Sequence, residues 1–539
     1  MAQHPAPSHD DACYLALKAK DARFDGCFFT GVTSTGIYCR PVCRVRTPKR
    51  ENCRFFEHAA QAEQAGFRPC LRCRPELAPR GNTGHTAPAS GAWSMQDASR
   101  ILAWQAASLL DTPDAWAEAM PSAGRLAARL GVSDRHLRRI FETHLGVSPL
   151  QYLQTRRLLC AKQLLCDTSL PVTQVAGLSG FASLRRFNAA FVQHYRLAPS
   201  HVRAQAVGPA RSSDQTGLAL RLAYRPPYDV AAMLGFFETR AIAGHEQVLH
   251  TPSGSCLRTT VRVVRQGAAH KGWISLRFNT ERCQVEAEIS ESLRDVLPVL
   301  LHRLRALLDL DAEPRAINEL LHARFPQCDG LRVPGTLDGF ELAVRAVLGQ
   351  QVTVAAARTL TSRLLTRFGE PVTTPWPGLD RLFPTPEALA RASADDLGQL
   401  GIVRQRQAAI VALAQAVQGQ TLALHIGADV PATIAQLIAL PGIGGWTAHY
   451  IAMRALRWSD AFPASDVALH KAMGLAGRPH AAREAELASR AWQPWRSYAV
   501  LRAWHTLSTS TSTEPNAPRV IQKPRQSASR PSAAESELT

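Results

Sequence analysis

Four cysteines constrain the N-terminal part of this chain more than any other feature. Cys39, Cys43, Cys70 and Cys73 form the pattern C-x3-C-x26-C-x2-C. Two close pairs can each grip one side of a tetrahedral zinc ion while the segment between them closes the loop. Seven of the twelve cysteines lie at or before Cys73, and the N-terminus lacks the apolar core of an export signal. That clustering predicts metal rather than disulfides, in a reducing compartment. Four thiolates leave a zinc site of about −2, and Arg40, Arg44, Arg46, Arg68, Arg72 and Arg74 stand nearby to compensate. Spacing alone leaves a structural staple and a reactive sulfur both open.

A chain of 539 residues is too long for one hydrophobic core. Its formal charge of +18 points to a polyanionic partner, because each Lys or Arg placed on a phosphate releases counterions. No uncharged apolar run is long enough to span a membrane, since "VLPVLLHRLRALLDL" is broken by His302, Arg303 and Arg305. The expected setting is cytoplasmic and DNA-associated, with no membrane partner. Segments 78–93 and 206–217 and the tail from residue 508 are rich in Pro, Gly, Ser and Thr and read as linkers and a disordered end. Apolar spacing is helical from about 97 to 205, strand-like in "LALRLAYRPPY", "CLRTTVRVVRQ", "WISLRFN" and "CQVEAEIS", and helical again beyond Ser292.

Within the first helical stretch, "GRLAARLGVSDRHLRRIFETHLGVSP" and "LPVTQVAGLSGFASLRRFNAAFVQHY" each read as helix, Gly-containing turn, helix. Ser133 and Ser183 are candidate N-caps. Arg135, His136, Arg138 and Arg139 in the first pattern, and Ser183, Arg185, Arg186 and Asn188 in the second, are candidates for a major groove. A helical bundle with a basic solvated face is the bland alternative. Further on, "LIALPGIGGWTAHYIAMRAL" turns through Pro441, Gly442, Gly444 and Gly445 into a helix, a helix-hairpin-helix pattern that can set backbone N–H groups on a DNA phosphate. Asp466, in "FPASDVALHKAM", follows it. A carboxylate there can stabilise an oxocarbenium-like sugar, or simply cap a helix; Asp460 is a second candidate.

These motifs resemble known families. "TGIYCRPVCRVRTPKRENCRFF" with "AGFRPCLRCRPE" resembles the N-terminal domain of the Ada family of methyl-phosphotriester repair proteins. That resemblance implies that Cys39 accepts a methyl group from DNA phosphate while Cys43, Cys70 and Cys73 remain ligands, and that the loss of one negative charge raises DNA affinity. Cys13, Cys27 and Cys53 fit no ligand pattern and are expected to be buried fillers. The paired helix-turn-helix patterns resemble the AraC-type DNA-binding domain. The hairpin followed by Asp466 resembles the base-excision DNA glycosylase superfamily. "RPPYDVAAMLGFFETRA", "AVRAVLGQQVTVA" and "WQPWRSYAVLRAWHT" are similar to the AlkA family of 3-methyladenine glycosylases.

The AlkA resemblance implies a base pocket of Phe236, Trp446, Tyr450 and Trp504, with Asp466 as the catalytic acid. An electron-rich cleft of this kind is expected to favour a cationic alkylated purine. Gln350, Gln351, Gly442, Gly444 and Gly445 are implied DNA contacts. Strand-cutting relatives carry Lys where this chain has Trp446, which implies a monofunctional glycosylase. Two positions depart from the family: Gln351 stands where an apolar wedge is usual, and Ser465 where a second acid can stand. The Pro-Cys-His-Arg centre of full Ada proteins is absent from the sequence.

The expected architecture is multidomain and mainly α with small α+β parts. It comprises an Ada-like zinc domain (10–80), a tandem helix-turn-helix (97–205), an AlkA-like mixed subdomain (218–305), a helix-hairpin-helix glycosylase body (306–508) and a disordered tail (509–539). The expected function is a transcriptional activator and repair enzyme of the alkylation response. One Zn2+ and no organic cofactor are expected, with damaged and operator double-stranded DNA and RNA polymerase as partners. The rival reading is a zinc-dependent regulator whose last module is an inactive DNA clamp.

Overall fold

The computed structural model describes residues 8–80, 95–116, 121–205, 217–251 and 254–512. Segments 81–94 and 206–216, which cover most of the expected linkers, lie outside the described residues, as does the tail from 513. The last helix, Arg496–Ser512, runs past the expected start of that tail.

The N-terminal module packs helix His9–Ala19 on a four-stranded sheet in the order Cys53–Phe56, Phe29–Val32, Ile37–Cys39, Arg68–Pro69. The long loop between the cysteine pairs returns as a strand parallel to Ile37–Cys39, with Tyr38 beside Pro69. Cys70 N–H then donates to Tyr38 C=O at 2.9 Å, so the second pair arrives beside the first. Cys13 and Cys53 are buried as expected; Cys27 is only half-buried, with its thiol 3.6 Å from Glu313 of the C-terminal body.

The helical module is built around Pro149–Asp167, whose start is closed by a reciprocal Ser148–Gln151 capping box. Ala123–Arg129 leads to Asp134–Leu145 on one side of it, and Val172–Leu178 leads to Leu184–Tyr195 on the other. Ser133 and Ser183 do cap the second helix of each pair, accepting from His136 N–H and Arg186 N–H at 3.3 Å.

All four strands read from the sequence form, within a five-stranded antiparallel sheet ordered Gly217–Ala223, Gln284–Ser290, Ala268–Asn279, Gly254–Arg265, Glu246–Thr251. The fifth, Glu246–Thr251, is an edge strand with no buried residue, so it carries no apolar alternation to read. Helices fill most of the rest, beside a short two-stranded sheet of Glu370–Pro371 and Arg381–Leu382. Leu297–Leu307 runs across the division expected at 305/306 because its apolar face serves the core shared with the sheet.

The modules share buried polar joints. Glu63 of the zinc module accepts from Tyr38 hydroxyl at 3.0 Å and from Thr155 of the central helix at 2.7 Å, and pairs with His194 at 3.3 Å. Lys162, fully buried on that helix, donates to Cys70 C=O at 3.2 Å and pairs with Glu76. Arg303 pairs with Asp114 at 2.7 Å, joining the helical module to the C-terminal body.

Arg225 makes the largest joint. It is wholly buried, and its guanidinium donates to the carbonyls of Asp25, Pro79, Arg80, Asp311 and Ala312 at 2.7–3.1 Å, with Glu313 at 3.3 Å. Gly26, at φ +77°, allows the approach: a Cβ there would lie 2.0 Å from Pro79 C=O. Arg225→Met should strand these carbonyls at a cost of about 3–5 kcal/mol. Chemical denaturation should show a lowered midpoint; an unchanged midpoint would reject this role.

Candidate functional site

The four candidate zinc ligands converge. Their sulfurs all lie within 4.8 Å of one another, and tetrahedral coordination with Zn–S bonds of about 2.3 Å needs sulfurs roughly 3.8 Å apart, so the set fits the metal. Cys39, Cys43 and Cys70 are buried and Cys73 is half-buried. Arg40 N–H donates to Cys73 Sγ at 3.3 Å. The dominant neighbours of Cys39 Sγ are the other sulfurs.

The surrounding arginines divide by burial, with Arg68 half-buried between the two extremes. Arg44, Arg46 and Arg72 are exposed. Arg40 is buried, paired with Asp25 and donating to Cys73 C=O at 2.9 Å; Arg74 is buried and paired with Glu76 and Asp167. Those two brace the fold and are unavailable to a DNA backbone.

Arg135, Arg138, Arg185, Arg186 and Asn188 are all exposed on the second helices of their pairs. Arg138 also pairs with Asp134 at 2.9 Å on the same helix.

In the C-terminal body, Val430–Ala439 turns at Leu440–Gly444 into Gly445–Arg454. Gly442 takes φ +75°, where a Cβ would press on Ala409 and on Gln405 C=O at 3.2 Å. Gly444 and Gly445 have open space around the Cβ position, which leaves the hairpin tip clear for close approach. Gln350 is half-exposed, and its amide donates to Gly442 C=O and Thr447 hydroxyl, both at 3.0 Å, and so braces the hairpin. Gln351 is exposed with φ +52°, a left-handed position that turns it out of the chain's course.

Asp466 lies at the hairpin's inner side, 8% exposed. It does cap helix Val467–Ala472, with Oδ1 accepting from Leu469 N–H at 2.6 Å. The cap is not its whole environment, because Trp504 Nε1 donates to Oδ1 at 3.0 Å and Trp446 Nε1 donates to Oδ2 at 2.7 Å. Both indoles point their N–H at one carboxylate, which fixes it by three donors. Trp446 stacks on Tyr450 with centroids 5.2 Å apart, and Trp504 lies 6.4 Å from Tyr450. Phe236, Trp446, Tyr450, Asp466 and Trp504 line one cavity of about 500 Å3. Asp460 lies elsewhere, locked to Arg496 at 2.7 Å.

Part of the aromatic wall already carries cations: Arg240 sits 3.9 Å and Arg454 4.8 Å from the Phe236 ring centroid. Arg454 also donates to Tyr450 hydroxyl at 2.7 Å. Burial would push the Tyr450 phenol up, but the guanidiniums of Arg454 and Arg240 prevail and hold it below its usual value. Beyond them, Arg345 pairs with Glu246 at 3.0 Å and Glu341 at 2.8 Å, and His245 pairs with Glu341 at 3.1 Å. Sequence reasoning missed these residues, since only folding brings residues 240, 345 and 454 together.

A carboxylate in an aromatic cleft under a helix-hairpin-helix, carried with a four-cysteine cluster and a tandem helix-turn-helix, is the arrangement of a DNA-repair glycosylase module joined to a transcription regulator. Family models agree: the metal binding domain of Ada matches residues 12–76, a helix-turn-helix domain 126–205, the AlkA N-terminal domain 219–338, and the HhH-GPD superfamily of base excision DNA repair proteins 344–497. A relative from Mycobacterium tuberculosis named "Probable bifunctional transcriptional activator/DNA repair enzyme AlkA" is 37% identical over 93% of this chain and 97% of its own length. The chain belongs to that family of bifunctional transcriptional activator/DNA repair enzymes. DNA-3-methyladenine glycosylase 2 of Escherichia coli is 34% identical over 53% of this chain and 96% of its own. The Ada activator/repair enzyme of the same organism is 34% identical over 28% of this chain and 36% of its own. Among the described residues no helix is long and apolar enough to cross a membrane.

Trp446→Phe removes the donor to Asp466 Oδ2 and, with it, part of the ring surface that stacks on Tyr450. Glycosylase turnover should fall on the order of tenfold with DNA affinity kept; full turnover would show that the indole N–H has no part in holding the acid.

Proposed function

We propose that the C-terminal module hydrolyses the N-glycosidic bond of alkylated purines, 3-methyladenine and 7-methylguanine, and leaves an abasic site. The observation that carries this reading is Asp466, ionisable, fixed by two indoles, and set on the wall of a base-sized aromatic cavity. A flipped nucleotide enters the cavity and Gln351 fills its place in the stack. The C1′–N bond breaks, its electrons leave with the base, and positive charge grows on the sugar. Asp466 stabilises that charge without needing to reorganise, because three donors already hold it. Water then bonds to C1′ and loses a proton to solvent. Trp446 has no amine to form a Schiff base, so the strand stays intact.

At the other end, Cys39 is proposed as a single-use methyl acceptor for DNA methylphosphotriesters. Zinc, when bound, keeps the sulfurs as thiolates. Cys39 Sγ forms the S–CH3 bond as the methyl C–O bond breaks, and the phosphodiester oxyanion departs. The site then loses one negative charge, repels DNA less, and lets Arg135, Arg138, Arg185, Arg186 and Asn188 hold an operator more tightly. RNA polymerase is the proposed recipient of the activating signal, in a cytoplasmic, DNA-associated setting.

Incubation with DNA containing 3-methyladenine or 7-methylguanine should release free base, and Asp466→Asn should lower release by at least about a hundredfold with DNA binding kept. Binding without release would favour the inactive clamp. With methyl-labelled phosphotriester DNA, label should reach the wild-type chain and not Cys39→Ser; a labelled variant rejects Cys39 as acceptor.

A further inference from the structure

The cavity beside Asp466 carries more positive charge than a pocket for cationic bases should. Arg454 is fixed by Pro334 C=O at 2.9 Å, Gly335 C=O at 3.0 Å and Tyr450 hydroxyl at 2.7 Å, and none of these partners is anionic. Arg240 donates to Phe236 C=O at 3.3 Å and to Thr239 hydroxyl at 3.1 Å, again neutral partners. Its own carbonyl accepts from Arg345 at 2.7 Å, which holds this end of the helix in place. Arg345, by contrast, is matched by the carboxylates of Glu246 and Glu341. Two guanidiniums without an ion-pair partner among the described residues therefore line the same cavity as the Asp466 carboxylate, with Asp338 on the same wall and Glu246 and Glu341 already matched by Arg345.

The consequence for binding is electrostatic. The Phe236 ring, whose quadrupole could attract a methylated purine cation, already has both guanidiniums over it. A cationic base entering the cavity meets two like charges in a partly desolvated space, where repulsion is weakly screened. A neutral base with a carbonyl oxygen meets N–H donors instead, and charge-assisted hydrogen bonds to such an oxygen are among the stronger ones.

We propose that Arg240 and Arg454 make this cavity selective in binding for neutral purines bearing an exocyclic carbonyl oxygen over methylated cationic purines of similar size. Cationic lesions are then removed because their glycosidic bond is weak, and not because they are held tightly. This rests on the excision reading given above. It deepens that reading by naming Arg240 and Arg454 as specificity-determining residues.

The test compares duplexes carrying one hypoxanthine or one 7-methylguanine in single-turnover release, separating the maximal rate from the protein concentration at half-saturation. Arg454 braces two loop carbonyls and its loss could unfold the chain, so Arg240 is the residue to change. In Arg240→Gln, half-saturation should rise for hypoxanthine and fall for 7-methylguanine, moving the ratio of the two on the order of tenfold. Arg240→Lys, which keeps the charge, should stay near wild type. Release of both bases with an unmoved ratio, or an equal loss for both, overturns the charge-selection proposal alone. Release of neither base by the wild-type chain overturns the excision reading, and this proposal with it.

Discussion

A guanidinium taken wholly out of water must have its hydrogen-bonding capacity matched by protein atoms, and Arg225 meets that demand with carbonyls drawn from three stretches of chain. The zinc module contributes Asp25, the segment leaving it contributes Pro79 and Arg80, and the glycosylase body contributes Asp311 and Ala312. No single module could bury this side chain alone. The relation of the first module to the last is therefore set by a satisfied charge and not by apolar area, which is non-directional. Asp25 completes the path inward: its carboxylate holds Arg40, the neighbour of Cys39, while its carbonyl holds Arg225.

The sequence disclosed what depends on local spacing. Cysteine pairs, serine caps and the glycine turn of the hairpin are each confined to a short window, and each was readable there. Phe236 and Asp466 are distant in the chain, and resemblance alone united them; the cavity brings them together. What stayed hidden depends on contacts between distant segments. Gln350, implied as a DNA contact, also braces the hairpin, and Arg40, read as a charge partner of the thiolates, is paired with Asp25. Nothing in the run "FFETRA" marks Arg240 as a cavity residue, because its meeting with Arg454 and Tyr450 exists only after the sheet and the helical body pack. The edge strand Glu246–Thr251 escaped because edge strands need not alternate.

The indoles around Asp466 link packing to chemistry. An aromatic side chain buries a large apolar surface and offers one polar handle, and both tryptophans spend that handle on the same carboxylate. The carboxylate is held still by the groups that shape the cavity, so the walls and the proposed catalyst cannot vary independently. That coupling distinguishes it from Asp460, whose partner Arg496 belongs to a structural ion pair.

Gln351 protrudes in a left-handed conformation that costs a non-glycine residue about 1 kcal/mol. An amide at such a tip is content in water, whereas a leucine there would be driven to find grease. On the proposed reading of Gln351 as the group that fills the gap of a flipped nucleotide, a polar tip would not lodge between the well-stacked pairs of sound duplex, and a site already loosened by its lesion would admit it.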